Sequence, residues 1–466
     1  MSQQNGVPLL RPLQETSKIN EQLEALAKSP EIRRIYQALG NDADLYIVGG
    51  VIRDIALGKN INDIDLASVL KPDVAIARLN KAEINSYTTG LEHGTITINL
   101  NKKNFELTTF RLASVREKSE FSNSIFEDLG GRDFTVNALA FSVKENKLID
   151  PLLGLRDLEK NLLKAVNSAE DRILEDPLRI LRAFRFGPAN GLNLDQDLLQ
   201  AILKQKKLLK EVSIERIRDE IIKIVMSQFP RTAFQKMYEV GVLEIVLPEF
   251  LQVFNFEQNE FHTEDVFNHI MSVVERAKNT EVQKLSALFH DIGKPQSLSI
   301  DENGKRHFYN HETIGANITR QVMQRLKFSN SLTDKVSKLV LFHMRPLNCG
   351  PSAVRRLIRD LGDDFNDWLL LKIADKSPTI SEQGFQSEYD GFVNLLNIEK
   401  QRQASPVYGK MAIDGDDLKQ MGFSEGILIG KVLKYLNEIL MEEPEKNNKE
   451  YLEQKARDIL NDKIKL

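Results

Sequence analysis

The chain has 466 residues, enough for roughly two to four domains, and its 41% hydrophobic and 28% charged residues are ordinary for a globular, water-soluble protein. A formal net charge of −4 excludes bulk electrostatic attraction to nucleic acid, so an RNA partner would have to be met by local basic faces. Cys349 stands alone, which excludes an intramolecular disulfide, and no run of about 18 apolar residues suggests a membrane span.

Residues 1–25 are polar and irregular and are expected to form a flexible arm; they lack a signal-peptide core, and the protein reads as cytoplasmic. A helix over 31–39 leads into LYIVGGVIRDIALGKNINDIDLAS, residues 45–68. Here an apolar run meets a Gly-Gly turn, an amphipathic helix and a polar loop, and two carboxylates follow, separated by one residue. Gly49 and Gly50 let the backbone approach phosphate oxygens, the helix behind them offers free N–H groups, and Arg53 adds a fixed charge. Asp63 and Asp65 alternate with apolar residues as in a half-buried strand and so point to one face, where paired oxygen ligands suit magnesium. Alone, either feature is a plain turn or surface charge; in this order within one strand-helix-strand unit they point to nucleotide transfer from a triphosphate.

Residues 72–80 read as a helix and 83–89 and 95–100 as strands, the second continuing through an NKKN turn into FELTTF. Glu106 is either a third carboxylate brought beside Asp63 and Asp65 by an adjacent strand or an exposed strand residue. Residues 114–129 are polar and aperiodic, as a mobile loop ending in an acidic turn would be, and the apolar run of GGRDFTVNALAFSV suits a buried strand or helix. From about residue 169 to 238 the period is helical apart from the GPANG loop at Gly187. Asp176 and Pro177 make a good helix start, after which Arg179, Arg182 and Arg185 recur along one side; a capped helix with a solvated basic face accounts for most of this. The basic run 204–210 is a solvated face or a contact for phosphates.

Six of the seven histidines lie between 262 and 343. His262 and His269 are seven apart, as on one helical face; His290 adjoins Asp291, and His311, His343 and Asp375 complete a set. Any one could be a satisfied core histidine, but together they point to a metal centre, because so many buried polar groups would otherwise be costly. The remainder, from residue 381, reads as helical, with small residues at Gly415, Gly422, Gly426 and Gly430 for partner contact or packing.

The order G-G-x-x-R-D then D-x-D resembles the DNA polymerase beta superfamily of nucleotidyltransferases, in particular class II tRNA CCA-adding enzymes and bacterial poly(A) polymerases, over nearly the whole chain. The resemblance implies an α+β protein: a small mixed-sheet nucleotidyltransferase head (26–150), an elongated all-helical neck with a base-template motif (151–250), an HD domain (255–380) and a helical tail that binds the tRNA body (381–466). It implies that Asp63 and Asp65 hold Mg2+, with Glu106 as the third acid. Arg132, Asp133 and Asn137 match R-R-D-F-T-x-N-A, whose basic residues face the triphosphate and whose Asn lies near the sugar; Gly131 replaces the first arginine, leaving Arg132 to act alone. In E-D-x-x-R, Asp176 and Arg179 would read the base, Glu175 would orient Arg179, and Arg182 and Arg185 extend the nucleotide-binding face. Glu215 and Arg216, in E-R-I-x-x-E, would brace the neck.

The implied activity is template-independent addition of C, with A left open, from CTP and ATP to the tRNA 3′ end. The 20 residues between Arg111 and Arg132 are shorter than the loop of enzymes that add all three nucleotides, which favours CC over CCA, A-only or poly(A) products. His269, His290, Asp291 and Asp375 resemble the HD phosphohydrolase ligand set, with His262, His311 and His343 in support around a divalent transition metal, and imply hydrolysis of phosphomonoesters or 2′,3′-cyclic phosphates. A rival class is an HD phosphohydrolase whose head has lapsed into an RNA-binding module. No membrane partner is expected, and oligomeric state stays open.

Overall fold

The computed structural model describes residues 14–61, 64–90, 94–112, 120–258, 264–376, 382–403, 410–423, 426–461 and 464. It divides into two compact units, residues 1–252 with 325–328 and residues 253–324 with 329–466.

In the first unit the glycine turn sits where strand gives way to helix. Strand β1 (Tyr46–Val48) runs into the helix Gly50–Ala56, and β2 (Ile64–Ser68) returns antiparallel to it. Then come β3 (Asn85–Gly90), β4 (Thr95–Leu100), β5 (Lys103–Thr109), β6 (Ala140–Ser142) and β7 (Lys147–Ile149), giving the order β3-β4-β5-β2-β1-β6-β7. The pair β2 and β5 is parallel; the other neighbours are antiparallel, so the sheet is mixed. Asn101 and Lys102 both take positive φ in the tight turn between β4 and β5, the geometry that matches strand twist. Ile47, Leu66, Ile98, Phe105 and Leu107 are buried, and the helices Pro30–Leu39 and Pro72–Lys81 fall where helices were expected.

Two expectations are corrected here. Part of the supposed arm is the helix Thr16–Ala27, because Ile19, Leu23 and Ala27, spaced by four, form a buried stripe within a polar stretch. The supposed loop over 114–129 contains the helix Ile125–Gly130, with Ile125 and Leu129 buried; residues 113–119 lie outside the described residues. Two buried apolar residues are too few to print a period on the sequence.

Beyond the sheet the unit is mainly helical: Ala169–Glu175, Arg179–Phe186, Gln196–Gln205, Ile214–Val225 and Pro230–Glu239. The neck is not wholly helical, since Leu162–Leu163 pairs in parallel with Asn193–Leu194. In Arg179–Phe186 the residues Ile180, Leu181, Ala183 and Phe184 are buried, leaving the arginines to the other side.

The second unit packs the helices Val266–Arg276, Glu281–Phe289, Asn330–Phe342 and Phe365–Ala374 around a core that includes Ile270, Leu288, Leu339 and Trp368. The indole N–H of Trp368 donates to the carbonyl of Phe342 at 2.9 Å, so this large buried ring leaves no polar atom unmet. The helices Ile427–Glu442 and Lys449–Leu460 close a separate apolar cluster around Val432, Leu436, Leu452 and Ala456. Among the described residues no helix is long and apolar enough to cross a membrane.

Candidate active site and metal centre

Val48, the last residue of β1, has Asp65 as its register partner, and Asp65 has Glu106 beside it on the parallel strand β5. Register partners project to the same face, so the two carboxylates stand one strand spacing apart, roughly 4.8 Å along the sheet. Asp65 is half-buried and Glu106 exposed. Asp63 lies outside the described residues.

Gly49 follows Val48 with φ +74° and ψ −126°, a conformation open to glycine, and its N–H donates to the carbonyl of Leu139 at 3.0 Å. A Cβ there would come within 2.7 Å of Arg132 Nη1. Gly50 begins the helix that carries Arg53, whose Nη1 donates to Asn137 Oδ1 at 2.6 Å and whose Nε and Nη2 engage Asp54. Arg132 donates from Nη2 to Asp128 at 3.1 Å and from Nη1 to the carbonyl of Asn137 at 3.4 Å. Arg53, Arg132 and Asn137 therefore meet at the glycine turn, close to where β1 delivers the chain beside Asp65.

Asp133, Arg182 and Arg185 each have protein partners in the structure. Asp133 is buried; its Oδ1 accepts from Asn137 Nδ2 at 2.9 Å, and its Oδ2 accepts from Arg182 Nε and Nη2 at 2.8 and 2.5 Å. Burial alone would raise the Asp133 carboxyl, but the Arg182 charge and the hydrogen bond from Asn137 hold it below the usual carboxylate range. Arg185 donates to the buried Glu220 at 2.6 Å and lies 3.8 Å from the Phe186 ring centroid, over which Arg53 and Arg182 also stand. The carboxylates that claim Arg182 and Arg185 come from 49 and 35 residues away, which is why helical spacing alone suggested a solvated face.

Glu175 does orient Arg179, accepting from its Nη1 at 2.7 Å. Asp176 accepts from the Leu178 N–H at 3.2 Å and from Arg216 Nη2 at 2.8 Å, so Arg216 braces the neck against it; the helix starts at Arg179, two residues later than the capping signal indicated. Glu215 pairs with Lys327 at 2.6 Å.

In the second unit, His290, His343 and Asp375 each directly follow a helix C-terminus, and His311 opens the helix His311–Arg325. His269, His290 and Asp375 bring donor atoms within 4.8 Å of one another, and so do Asp291, His311 and His343. Asp291 joins the two groups: Oδ2 lies 3.4 Å from His269 Nε2 and 3.3 Å from His290 Nε2, while Oδ1 lies 3.4 Å from His311 Nε2 and 3.6 Å from His343 Nε2. The Nδ1–H groups of His290, His311 and His343 donate to the carbonyls of Ala287, Phe308 and Val340, leaving each Nε2 aimed inward. Asp291 Oδ2 is 2.7 Å from Lys294 Nζ yet receives no well-aligned hydrogen bond. Burial disfavours charge on His290, but Asp291 and Asp375 outweigh it and push its pKa up to about 10, while both carboxyls are held well below their ordinary values. Such a field, completed by helix C-terminal dipoles, calls for cations, and the donor set of imidazoles and carboxylates fits divalent transition metals.

Residues 45–164 match the profile described as the poly A polymerase head domain, residues 191–253 the probable RNA- and SrmB-binding site of polymerase A, and residues 261–375 the HD domain. The chain carries a poly A polymerase head domain, its RNA-binding segment and an HD domain, in that order. The CCA-adding enzyme of Lactobacillus johnsonii is 39% identical over 236 residues, covering 49% of this chain and 57% of that protein. The A-adding tRNA nucleotidyltransferase of Deinococcus radiodurans is 28% identical over 411 residues, covering 84% and 90%. The chain spans about half the length of the Lactobacillus relatives it matches, 51% for the Lactobacillus delbrueckii CCA-adding enzyme. The crystal structure of the Bacillus stearothermophilus CCA-adding enzyme in complex with CTP shares the fold, with a TM-score of 0.67 at 22% identity, over 93% of this chain and 99% of that one.

The HD resemblance named His269, His290, Asp291 and Asp375 as ligands and placed His311 and His343 in support of them. Instead they converge on Asp291 as closely as His269 and His290 do; the separation of the histidines into two groups carries no sequence signal, because it depends on which helix ends meet. His262 lies outside the described residues; His269 stands on the helix Val266–Arg276, which Asp265 caps. Sequence reasoning also passed over Arg172, a buried arginine three residues before Glu175.

Proposed function

We propose that this protein adds C, from CTP, to the 3′ end of tRNA without a nucleic-acid template. The observation that carries the reading is Asp65 beside Glu106 on adjoining strands, opposite the end of β1 and the Gly49 turn. Asp63 and Asp65 would hold Mg2+, which when bound activates the RNA 3′-hydroxyl and grips the triphosphate until pyrophosphate leaves. Gly49 and Gly50 admit phosphate oxygens to the backbone, and Arg53 and Arg132 offset phosphate charge. Asp176 accepts from the amino group of cytosine while Arg179 donates to its ring nitrogen and carbonyl; uracil presents the opposite polarity at the same edge. Asp133, Arg182 and Arg185 hold the helix that presents this pair. Local basic faces on the neck and on the tail bind the tRNA, in the cytoplasm.

The short connection from Arg111 to Arg132 favours CC as the product. Full CCA addition, A addition and poly(A) synthesis are the alternatives, and kinship with both CCA-adding and A-adding enzymes leaves them distinct by experiment. Labelled CTP and ATP, supplied separately with tRNA ending at the discriminator base, at C and at CC, decide the matter: ATP incorporation onto the CC end sinks CC-only addition.

The two donor groups joined at Asp291 favour a second activity in the HD domain, metal-dependent hydrolysis of phosphomonoesters or 2′,3′-cyclic phosphates. If instead the head were only an RNA-binding module, Asp63→Ala would leave activity untouched and His290→Ala would abolish it. The transferase reading expects Asp63→Ala to abolish nucleotide addition and His290→Ala to spare it.

A further inference from the structure

Glu175 divides its carboxylate between two guanidinium groups. Arg172 Nη2 donates to Oε1 at 2.6 Å, and Arg179 Nη1 donates to Oε2 at 2.7 Å. The same two arginines share a further acceptor: Arg172 Nη1 and Arg179 Nη2 approach the carbonyl of Gly131 at 3.3 and 3.4 Å. Arg179 Nη1 also donates to the backbone carbonyl of Arg172 at 2.9 Å. The side chain of Arg172 is 10% exposed and that of Arg179 17%, so both are held under cover, against the loop in which glycine replaces the arginine of R-R-D.

We infer that Arg172 is a positioning residue for base selection: by holding one oxygen of Glu175 it fixes the guanidinium of Arg179 in the orientation that meets the incoming base. This rests on Arg179 being a base-reading residue. A carboxylate gripped from one side only is free to turn and present both oxygens to its remaining partner, the bidentate geometry that arginine and carboxylate prefer. Without Arg172, Glu175 therefore draws Arg179 toward itself and away from the base. Displacement by about 1 Å is enough to degrade an oriented contact severely. Arg172 also brings positive charge to the Gly131 carbonyl from the helix side, where the residue at 131 has none to offer.

The test compares Arg172→Gln, Arg172→Lys and Arg179→Ala with the unaltered full-length protein, measuring kcat and KM for CTP and for UTP on tRNA ending at the discriminator base. Arg172→Gln is expected to raise KM for CTP about tenfold and to lower the CTP-over-UTP preference about tenfold, with kcat changed less, and Arg172→Lys to restore most of that preference. The preference is a ratio and does not depend on how much of a variant is folded. An unchanged ratio for Arg172→Gln, whatever happens to kcat, overturns the role of Arg172 when Arg179→Ala collapses the ratio. If Arg179→Ala leaves it intact, or the unaltered protein incorporates no CTP, base reading by Arg179 is overturned and the role of Arg172 with it.

Discussion

Arg182 donates both Nε and Nη2 to one oxygen of Asp133, tying the neck helix to the segment between the helix Ile125–Gly130 and β6 across 49 residues of sequence. Breaking a buried pair by removing one partner costs about 3–5 kcal/mol; with 32% of the Arg182 side chain exposed, about 2 kcal/mol is the expectation for Asp133→Asn. Urea denaturation of the variant and the parent gives that difference directly. The sign of the pH dependence follows from the depressed carboxyl of Asp133. Its contribution is whole above the unfolded value of about 3.9 and is lost as pH falls through the lower folded value, so the two proteins should converge in stability in strong acid.

At the sheet, Asp65→Ala is expected to reduce CMP incorporation by about a thousandfold or more, since a carboxylate proposed to hold Mg2+ is removed outright. Glu106→Gln keeps the shape and loses the charge, and a reduction of about ten- to a hundredfold is expected. Rapid-quench assays with labelled CTP measure both. Equal, small effects of the two changes would contradict a shared metal face on β2 and β5.

Gly49→Ala should act through Arg132 rather than through the carboxylates. The added Cβ meets Arg132 Nη1 at 2.7 Å on a backbone with positive φ, so the arginine must shift and the turn is strained by about 1–3 kcal/mol. The expected signature is a rise in KM for the nucleotide larger than the fall in kcat, read from initial rates at saturating tRNA.

For the HD domain, metal analysis after dialysis against Mn2+ should find two ions per chain, falling to one in His269→Ala or His343→Ala and to none or one in Asp291→Ala, because Asp291 touches both donor groups. Chelation should abolish phosphate release from phosphomonoesters, and adding back Mg2+ alone should restore nucleotide addition without it. A single ion in the unaltered protein would refute the paired site.

Much of the head was legible in the chain because its signals are local. A glycine turn needs particular residues at particular positions, alternation along β2 is read over five residues, and a proline or capping residue marks a helix end nearby. The resemblance to E-D-x-x-R, rather than spacing alone, named Glu175 as the partner of Arg179, four residues away. The helix Thr16–Ala27 escaped because three apolar residues in a polar stretch look like noise until a core receives them.

What the sequence determined by itself is the set of chemical groups: the D-x-D stretch, the acids and arginine of E-D-x-x-R, the cluster of histidines and aspartates. Only the tertiary structure decided their pairing. It put Glu106 next to Asp65 through a parallel strand contact, turned Arg182 and Arg185 onto Asp133 and Glu220, sorted six metal-type ligands into two groups around Asp291, and set Arg172 behind Glu175. The reason is physical. Residue type and short-range spacing fix which charges exist and which face of an element carries them. A buried charge must find its counter-charge wherever packing brings one, often tens of residues away, and the free energy of that match appears only when the elements meet.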